Sequence, residues 1–199
     1  MSGVRNDLAG ILRERHGHFE LESGHHSDLW LDLESLFVRP SAVRPLAAEL
    51  ARQLRPYDID VVCGPLVEGA FMGLLVAEEL GADFVYAERR PRREGAELFP
   101  FAYRIPDALR NLQNRRAAIA NDVINAGSAV RGALQDLEAC GARVVVIGTL
   151  LALGSRGVQL AQEAAVPLES LETEDVSVWA PAECPLCSSA TPLTPFYGG

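Results

Sequence analysis

Apolar residues recur along the chain in two spacings that alternate from one segment to the next. Short apolar runs predict strands at 58–63, 82–87, 115–120 and 143–151. Apolar residues three and four positions apart predict core-facing helices at 41–54 and 70–80, in the segment that carries Val130, Leu134 and Leu137, and at 157–165. Strands that alternate with helices indicate an α/β fold with a central, mostly parallel sheet flanked by helices.

Less regular segments precede, interrupt and follow this core. A helix is predicted at 6–15, and polar-apolar alternation predicts strands at 18–22 and 28–33 around a polar loop at 23–27. We expect a hairpin or flap at 98–105 and short strands at 168–171 and 176–179. His25 and His26 are expected to be solvated loop residues, because neighbours on a strand face opposite ways and cannot easily bind one metal.

Composition narrows the class of protein. The 199 residues, 48% of them apolar, can form one domain with a substantial core. The net charge of −9 argues against nucleic-acid binding. All 18 basic residues are arginine, which excludes Walker-type nucleotide binding and lysine Schiff-base chemistry. The apolar run at 144–153 is too short to span a bilayer and the N-terminus lacks a signal-peptide core, so we expect a cytoplasmic protein without a membrane partner.

The most informative segment is 117–129, where an apolar run reaches Asn121 and Asp122 and breaks into a small-residue turn at 125–128. Small side chains let backbone N–H groups close around a phosphate, and the following helix N-terminus adds partial positive charge. Asp122, just past the carboxyl end of the predicted strand, is placed to meet a ribose hydroxyl or a magnesium-bound oxygen. The residues predict a sugar-phosphate site, and an ordinary strand, turn and helix is the alternative.

Two further features belong to the same edge of the predicted sheet. The segment 64–69 is a second small-residue loop between a strand and a helix. The arginine cluster, comprising Arg89, Arg90, Arg92 and Arg93, is the one dense basic patch of an acidic sequence. Its guanidinium groups could close over an anionic substrate, because they pair bidentately with phosphate oxygens. A solvated charged loop is the alternative.

Four cysteines complete the inventory of reactive groups. Cys63 and Cys140 lie in apolar surroundings and are expected to be inert core residues. Cys184 and Cys187 have the spacing of half a zinc ribbon, but a closed structural zinc site needs four ligands and no second cysteine pair is present. A disulfide, two free thiols or half of an intermolecular metal site remain open, and a reducing compartment favours free thiols.

The segment 121–131 resembles the phosphoribosyl pyrophosphate (PRPP) signature of type I phosphoribosyltransferases, with its best match to orotate phosphoribosyltransferases. The resemblance runs from about Gly17 to Cys187. It implies one domain with a small N-terminal hood (about 1–40), a core (about 41–165) with a mobile flap loop, and a C-terminal tail (about 166–199). It also implies transfer of ribose 5-phosphate from PRPP to a pyrimidine base, above all orotate, with Mg²⁺ as cofactor and a homodimer that shares its active sites.

The same resemblance implies roles for individual residues. The loop 64–69 would hold pyrophosphate, and Asp122 and Arg92 would be catalytic. Arg92 could act only by its charge, because a guanidinium cannot donate a proton near neutral pH. Mg²⁺ would be held through the substrate, with Asp122 as its candidate protein ligand. PRPP would contact Asn121, Asp122, Val123, Ile124, Asn125, Ala126, Gly127, Ser128, Ala129, Arg89 and Arg93, and the base would contact Trp30, Leu31, Asn125 and Arg156.

Four positions depart from the family pattern, namely Glu22, Glu94, Asn121 and Asn125. Glu22 stands where the family commonly has Lys or Arg, and a carboxylate there repels pyrophosphate unless a cation intervenes. Glu94 stands where the family often has His. These changes keep two other functions open: a phosphoribosyltransferase for a different base, and a non-catalytic protein that senses PRPP or a nucleotide.

Overall fold

The chain builds two sheets in the computed structural model, which describes residues 12–91 and 101–196. The described strands are β1 (Glu14–Glu20), β2 (His26–Leu31), β3 (Val61–Pro65), β4 (Asp83–Pro91), β5 (Phe101–Arg104), β6 (Arg116–Ile124), β7 (Arg143–Leu153), β8 (Leu168–Glu174) and β9 (Val178–Trp179). The described α-helices are α1 (Pro40–Leu54), α2 (Glu68–Leu80), α3 (Ser128–Ala139), α4 (Arg156–Glu163) and α5 (Pro185–Ser188). Short 3-10 helices lie at Leu33–Val38, Arg55–Tyr57, Asp107–Leu109 and Pro181–Glu183.

The central sheet has the strand order β5-β4-β3-β6-β7-β8. All neighbours pair in parallel except β4 and β5, which form the antiparallel hairpin expected near 98–105. The chain passes from β3 outward to β4 and then returns to place β6 on the other side of β3. Such a reversal of winding opens a crevice at the carboxyl ends of the two central strands. The topology confirms the predicted α/β fold and locates its expected binding edge.

Helices cover the central sheet on both faces, which explains the long apolar runs in its inner strands. Alternate residues of β6 point to opposite sides: Ala118 and Ala120 pack on one face, and Ala117 and Ile119 on the other. α1 and α2 cover the first face, with buried side chains that include Leu50, Leu54, Met72 and Val76. α3 and α4 cover the second face, with Leu134, Leu137 and Leu160.

The second sheet, here called the hood sheet, consists of β1, β2 and β9 in antiparallel order. Its outer strand β9 follows β8, so the hood sheet is built from both ends of the chain. Leu29 and Leu31 of β2 pack against Leu151 and Leu153 at the end of β7. This apolar contact holds the hood sheet beside the carboxyl ends of the central strands.

The loop between β3 and α2 depends on small residues. A Cβ atom on Gly64 would lie 2.4 Å from the carbonyl oxygen of Gly69, so only glycine lets β3 and the start of α2 approach this closely. Leu66 donates its N–H to the carbonyl oxygen of Ala87 over 2.9 Å, and the peptide bond between Leu66 and Val67 is cis. The loop is therefore tied to β4 as well as to β3.

The structure corrects three predictions. Glu14 and Arg15, the last residues of the predicted helix 6–15, belong to β1, and residues 1–11 of that prediction lie outside the described part. β6 continues to Ile124 because it stays paired with the long strand β7, so Asp122 lies inside the strand rather than beyond it. His25 and His26 are only 2% and 5% exposed rather than solvated. β9 pairs directly with His26 and helps to cover it.

Within the two described ranges, every helix is too short or too polar to cross a bilayer.

Candidate active site

A cavity of about 790 Å³ opens at the carboxyl ends of β3 and β6, where the winding of the sheet reverses. Its floor is formed by the loop after β3 and by the end of β6 with the turn that follows. β2 of the hood sheet and the hairpin strands β4 and β5 supply its walls. The cavity thus lies where open α/β sheets bind their ligands.

The turn 125–128 joins β6 to α3 and is here called the phosphate loop. Gly127 has a φ of 79°, a left-handed conformation that glycine adopts without strain. α3 begins at the next residue, and no side-chain hydrogen bond caps its N-terminus. The first N–H groups of such a helix lack intrahelical partners and carry partial positive charge. This end of the cavity is therefore suited to a phosphate group.

Asp122 brings a buried carboxylate to the same place. Its side chain is 3% exposed, and its Oδ2 atom has no hydrogen-bond partner. Burial, with a smaller contribution from the nearby Glu68 carboxylate, raises the pKa of Asp122 to about 7. Asn125 Oδ1 in the phosphate loop is also buried without a partner. Unsatisfied buried oxygens of this kind need an explanation, and hydroxyl donors or a cation of a ligand would supply their missing partners.

These oxygens also decide whether Mg²⁺ fits the site. Mg²⁺ is commonly bound by one or two carboxylates together with oxygens of a phosphorylated substrate. Asp122 offers an unpaired carboxylate oxygen, and Glu68 places a second negative charge close enough to affect the pKa of Asp122. The donor set therefore fits the cofactor that the sequence resemblance implies.

Asn121 joins the two loops of the cavity floor. Its Nδ2 atom donates to the carbonyl oxygen of Val123 over 2.7 Å. Its Oδ1 atom lies against Gly69, where an added Cβ would come within 2.1 Å of it. The side chain thus packs between the end of β6 and the start of α2, and it is 7% exposed. Asn121 has a structural role beside any contact with a ligand.

Glu22 is the hub of the cavity's polar wall. Its carboxylate accepts hydrogen bonds from the Tyr103 hydroxyl at 2.8 and 3.0 Å and from Ser128 Oγ at 3.1 Å. It also forms an ion pair of 3.3 Å with Arg89. Glu22 and Arg89 are only 22% and 26% exposed, so the pair is shielded from bulk water. An anionic ligand in this cavity would need the same hydrogen-bond donors that the Glu22 carboxylate binds.

The residues around Glu22 determine the protonation of Tyr103 and the position of Arg89. Burial, together with the adjacent Glu22 carboxylate, raises the pKa of Tyr103, so its hydroxyl stays protonated and acts as a donor. The Arg89 guanidinium lies over the ring of Phe101, 4.8 Å from its centroid, and 5.7 Å from that of Phe196. These contacts hold the cation at the cavity wall.

An aromatic wall lies on the hood side of the cavity. Trp30 of β2 faces Phe196 of the tail with ring centroids 6.4 Å apart, and both line the cavity with Leu31. Aromatic side chains at this distance offer flat apolar surfaces to a planar ligand. The phosphate loop and this wall lie in one cavity, which can accommodate a sugar phosphate and a base together.

The structure brings together most of the residues that the sequence singled out. Trp30, Leu31, Arg89 and every residue from Asn121 to Ala129 line the cavity. Arg156 starts α4 and does not belong to the described cavity lining, so its contact with a base stays a prediction. Arg92, Arg93 and Glu94 lie outside the described residues, and their roles also stay predictions.

The sequence analysis did not single out Glu68, Tyr103 or Phe196, which all line the cavity. Glu68 lies inside the loop 64–69 that was expected to hold pyrophosphate, so its position was a usable signal. Tyr103 belongs to the hairpin and Phe196 to the tail, and both reach the cavity only through long-range pairing. No local pattern in the sequence marks either of them.

Comparison with known proteins agrees with this geometry. No protein-family model matches the chain. The orotate phosphoribosyltransferase of Thermotoga petrophila is 32% identical over 190 residues, which cover 94% of this chain and 91% of that relative. An adenine phosphoribosyltransferase structure from Thermoanaerobacter pseudethanolicus matches with a TM-score of 0.66 at 19% identity, covering 85% of this chain and 99% of its own.

The structure of orotate phosphoribosyltransferase from Aeropyrum pernix matches with a TM-score of 0.60 at 21% identity, covering 86% of this chain and 92% of its own. The two structural matches show the fold, and the sequence match shows the family. The chain belongs to the orotate phosphoribosyltransferase family and has the type I phosphoribosyltransferase fold.

Proposed function

We propose that the protein transfers the 5-phosphoribosyl group of PRPP to a ring nitrogen of orotate, with release of pyrophosphate. The observation that carries the proposal is the buried Asp122 carboxylate, whose Oδ2 atom has no partner, beside the phosphate loop at the reversal point of the sheet. The family relatives bear the name of this activity. A single cavity that joins an anion-binding loop to an aromatic wall suits a substrate pair of sugar phosphate and planar base.

The reaction breaks the bond between ribose C1 and a pyrophosphate oxygen and forms a bond between C1 and the base nitrogen. The bonding electrons leave with pyrophosphate, and positive charge develops on the ribose ring. The proton of the base N–H passes to the leaving pyrophosphate or to solvent. Such a transition state needs little covalent help from the protein, so orientation and charge stabilisation dominate.

Different residues of the cavity orient the substrates and stabilise the developing charges. The phosphate loop and the N-terminus of α3 hold the 5-phosphate, which fixes one end of the ribose. Asp122 accepts hydrogen bonds from ribose hydroxyls and brings negative charge near the developing cation. Arg89 supplies positive charge for the leaving pyrophosphate, and Trp30 and Phe196 hold the base against the ribose.

Mg²⁺ belongs to the proposal because its donor set is present at Asp122 and Glu68. Bound there with the substrate, it would neutralise pyrophosphate oxygens and strengthen their binding.

The direct test incubates the purified protein with PRPP, Mg²⁺ and one base at a time, and measures pyrophosphate release. We expect turnover with orotate and none with uracil, adenine or hypoxanthine, because the family relatives carry the orotate name. Turnover with another base alone would replace orotate in the proposal. Binding of PRPP without turnover by any base would support the sensing function instead.

Replacing Asp122 by asparagine tests the central carboxylate without changing its size. We expect Asp122→Asn to weaken Mg²⁺-dependent PRPP binding at least tenfold in calorimetric titration, because the charge that the substrate complex needs is gone. The unliganded variant should be more stable than the wild type at pH 8, because ionisation of a buried carboxylate whose Oδ2 atom lacks a partner destabilises the fold.

The destabilisation caused by ionised Asp122 should also appear in the pH dependence of the free energy of unfolding. Since the folded-state pKa of Asp122 is raised to about 7, the folded protein binds a proton that the unfolded chain releases near pH 4. The wild-type free energy of unfolding should therefore fall as the pH rises from about 4 to 7, by up to about 1.4 kcal/mol per pH unit. Chemical denaturation of wild type and Asp122→Asn across this range measures the difference, and parallel pH profiles would contradict the assignment.

Replacing Glu22 by glutamine removes a negative charge from the polar wall. We expect Glu22→Gln to lower the KM for PRPP about tenfold, because the variant no longer repels the phosphates or forms an ion pair with Arg89. Glu14→Gln makes the same charge change on the exposed part of β1 and should leave the KM unchanged. An increase in KM for Glu22→Gln that depends on Mg²⁺ would mean that a cation joins Glu22 to the substrate instead.

We also propose that the protein is a homodimer. An exposed apolar stripe runs from Val67 along α2 through Phe71 and Leu74, which are 55%, 47% and 52% exposed and share one helix face. Val38 lies 81% exposed at the end of the 3-10 helix Leu33–Val38, and Phe37 of that helix contacts Phe71 with ring centroids 5.4 Å apart. A contiguous patch of this kind is typical of an interaction surface. Val67 also lines the cavity, so a second copy here would lie next to the active site.

The substitution Phe71→Asp tests the apolar stripe. A buried charge opposes association, so we expect sedimentation velocity to show monomers for Phe71→Asp and dimers for the wild type. Val158→Asp, at an apolar residue of α4 that is 39% exposed, provides the matched control and should remain dimeric. A wild-type protein that sediments as a monomer at micromolar concentration would refute the proposed interface.

A further inference from the structure

Four metal-ligand side chains from distant parts of the sequence meet where the C-terminal tail packs against the hood sheet. His18 lies on β1, His26 begins β2, and Cys184 and Cys187 flank the start of α5 in the tail. One ligand atom from each residue lies within 4.8 Å of the other three. None of the four residues belongs to the described lining of the cavity, and the proposed transfer reaction does not use them.

Four of the six distances within the group are close to those of a tetrahedral site. His18 Nε2 lies 3.0 Å from His26 Nδ1 and 3.4 Å from Cys184 Sγ, and Cys187 Sγ lies 3.3 Å from His26 Nδ1 and 3.8 Å from His18 Nε2. Around a zinc ion, with Zn–N near 2.0 Å and Zn–S near 2.3 Å, ligand atoms lie roughly 3.3–3.8 Å apart. The side chains already hold nearly the spacing that an ion at their centre requires.

The surroundings prepare His18 to act as a ligand. Its Nδ1 atom lies 2.9 Å from the carbonyl oxygen of Thr191, which can only accept, so Nδ1 carries the proton and Nε2 has a free lone pair. Metal-bound histidines usually donate their second ring N–H to a backbone carbonyl or carboxylate in this way.

The burial of three of the four ligands favours a structural ion. His18, His26 and Cys184 are 3%, 5% and 1% exposed, and Cys187 lies at the surface. Two thiolates and two neutral imidazoles balance the charge of one Zn²⁺, and four protein ligands leave no open position for chemistry. Binding releases the two thiol protons, so the site is neutral inside the protein. Both sulfurs also approach imidazole nitrogens, which a simple disulfide between the two cysteines does not require.

We propose that His18, His26, Cys184 and Cys187 form a structural zinc site that fastens the C-terminal tail to the hood sheet. The two histidines supply the second pair of ligands that a closed zinc site needs. The sequence spacing did not reveal this possibility, because the histidines lie far from the cysteines in the chain.

The site bears on the cavity through the tail. Just beyond the cysteines, Thr194 donates its N–H to the carbonyl oxygen of His18 over 2.8 Å and accepts from the N–H of Glu20 over 2.9 Å. Two residues later Phe196 reaches the aromatic wall, where its N–H donates to Glu20 Oε2 over 3.2 Å. Zinc therefore holds the segment that positions Phe196. This consequence for base binding rests on the proposed function, whereas metal binding itself does not.

The test measures zinc in protein purified without a metal-chelating tag. We expect mass spectrometry of the metal content to give one zinc per chain for the wild type and less than a tenth of that for Cys184→Ser and His18→Ala. His16→Ala, on the exposed part of β1, and Cys140→Ser, in the core, are matched controls that should retain the metal. A zinc content near zero in the wild type, or full zinc in both ligand variants, would overturn the proposal.

Two measurements on the wild type make the test independent of how the variants fold. Substitution with Co²⁺ should give the visible absorption of tetrahedral cobalt together with a thiolate charge-transfer band. Absence of both bands, or an intact-mass measurement that finds a disulfide between Cys184 and Cys187, would count against zinc.

Removal of zinc with a zinc-selective chelator, in the presence of Mg²⁺, should raise the KM for orotate severalfold while PRPP binding persists. An unchanged KM would overturn the link to Phe196. If no base turns over, the transferase proposal fails, yet zinc content and cobalt absorption still decide the metal site.

Discussion

Burial of one carboxylate at the reversal point of the sheet is the constraint around which the active site is built. Asp122 lies inside β6, and its Oδ2 atom finds no partner among the described side chains and backbone groups. Leaving such a group unsatisfied costs folding free energy, which is why buried polar atoms are normally paired. Groups that break this rule in native proteins are concentrated at functional sites. A ligand that supplies the missing partner of Oδ2 therefore explains the buried Asp122 carboxylate better than a role in folding does.

The small residues around Asp122 follow from the same constraint. β3 and α2 approach each other closely at Gly64, and Asn121 packs its side-chain oxygen against Gly69. An aspartate at position 121 could not donate to the carbonyl oxygen of Val123 as the Asn121 amide does. It would also add a further negative charge beside Asp122 and Glu68, whose repulsion already affects the pKa of Asp122. The departure at Asn121 therefore has a structural reason that is compatible with catalysis.

The sequence predicted the features that depend on neighbouring residues. Apolar runs and helical spacing identified the parallel sheet, its helices and the turn before α3, and the signature at 121–131 indicated the family. It could not predict contacts between residues far apart in the chain. Tyr103 and Glu22 are separated by 81 positions, and Cys184 and His18 by 166, so only the completed fold brings them together. The same limit explains why His26 was expected in solvent, since the strand that covers it lies in the tail.

Glu22 gives the hood sheet a second role besides covering the cavity. Its carboxylate accepts hydrogen bonds from Ser128 at the start of α3 and from Tyr103 of the hairpin, and it pairs with Arg89. A phosphate is bound by the same kinds of donor, so an entering anion competes with Glu22 for Ser128 and Arg89. The family pattern places a cation at this position, which would attract the anion directly. With glutamate at position 22, Ser128 and Arg89 are already bound to its carboxylate before the substrate arrives. Substrate binding must therefore break these charge-assisted hydrogen bonds and replace them with bonds to phosphate. The net gain per phosphate contact is therefore smaller than for an unoccupied donor, and the affinity for PRPP depends more heavily on the phosphate loop and Asp122.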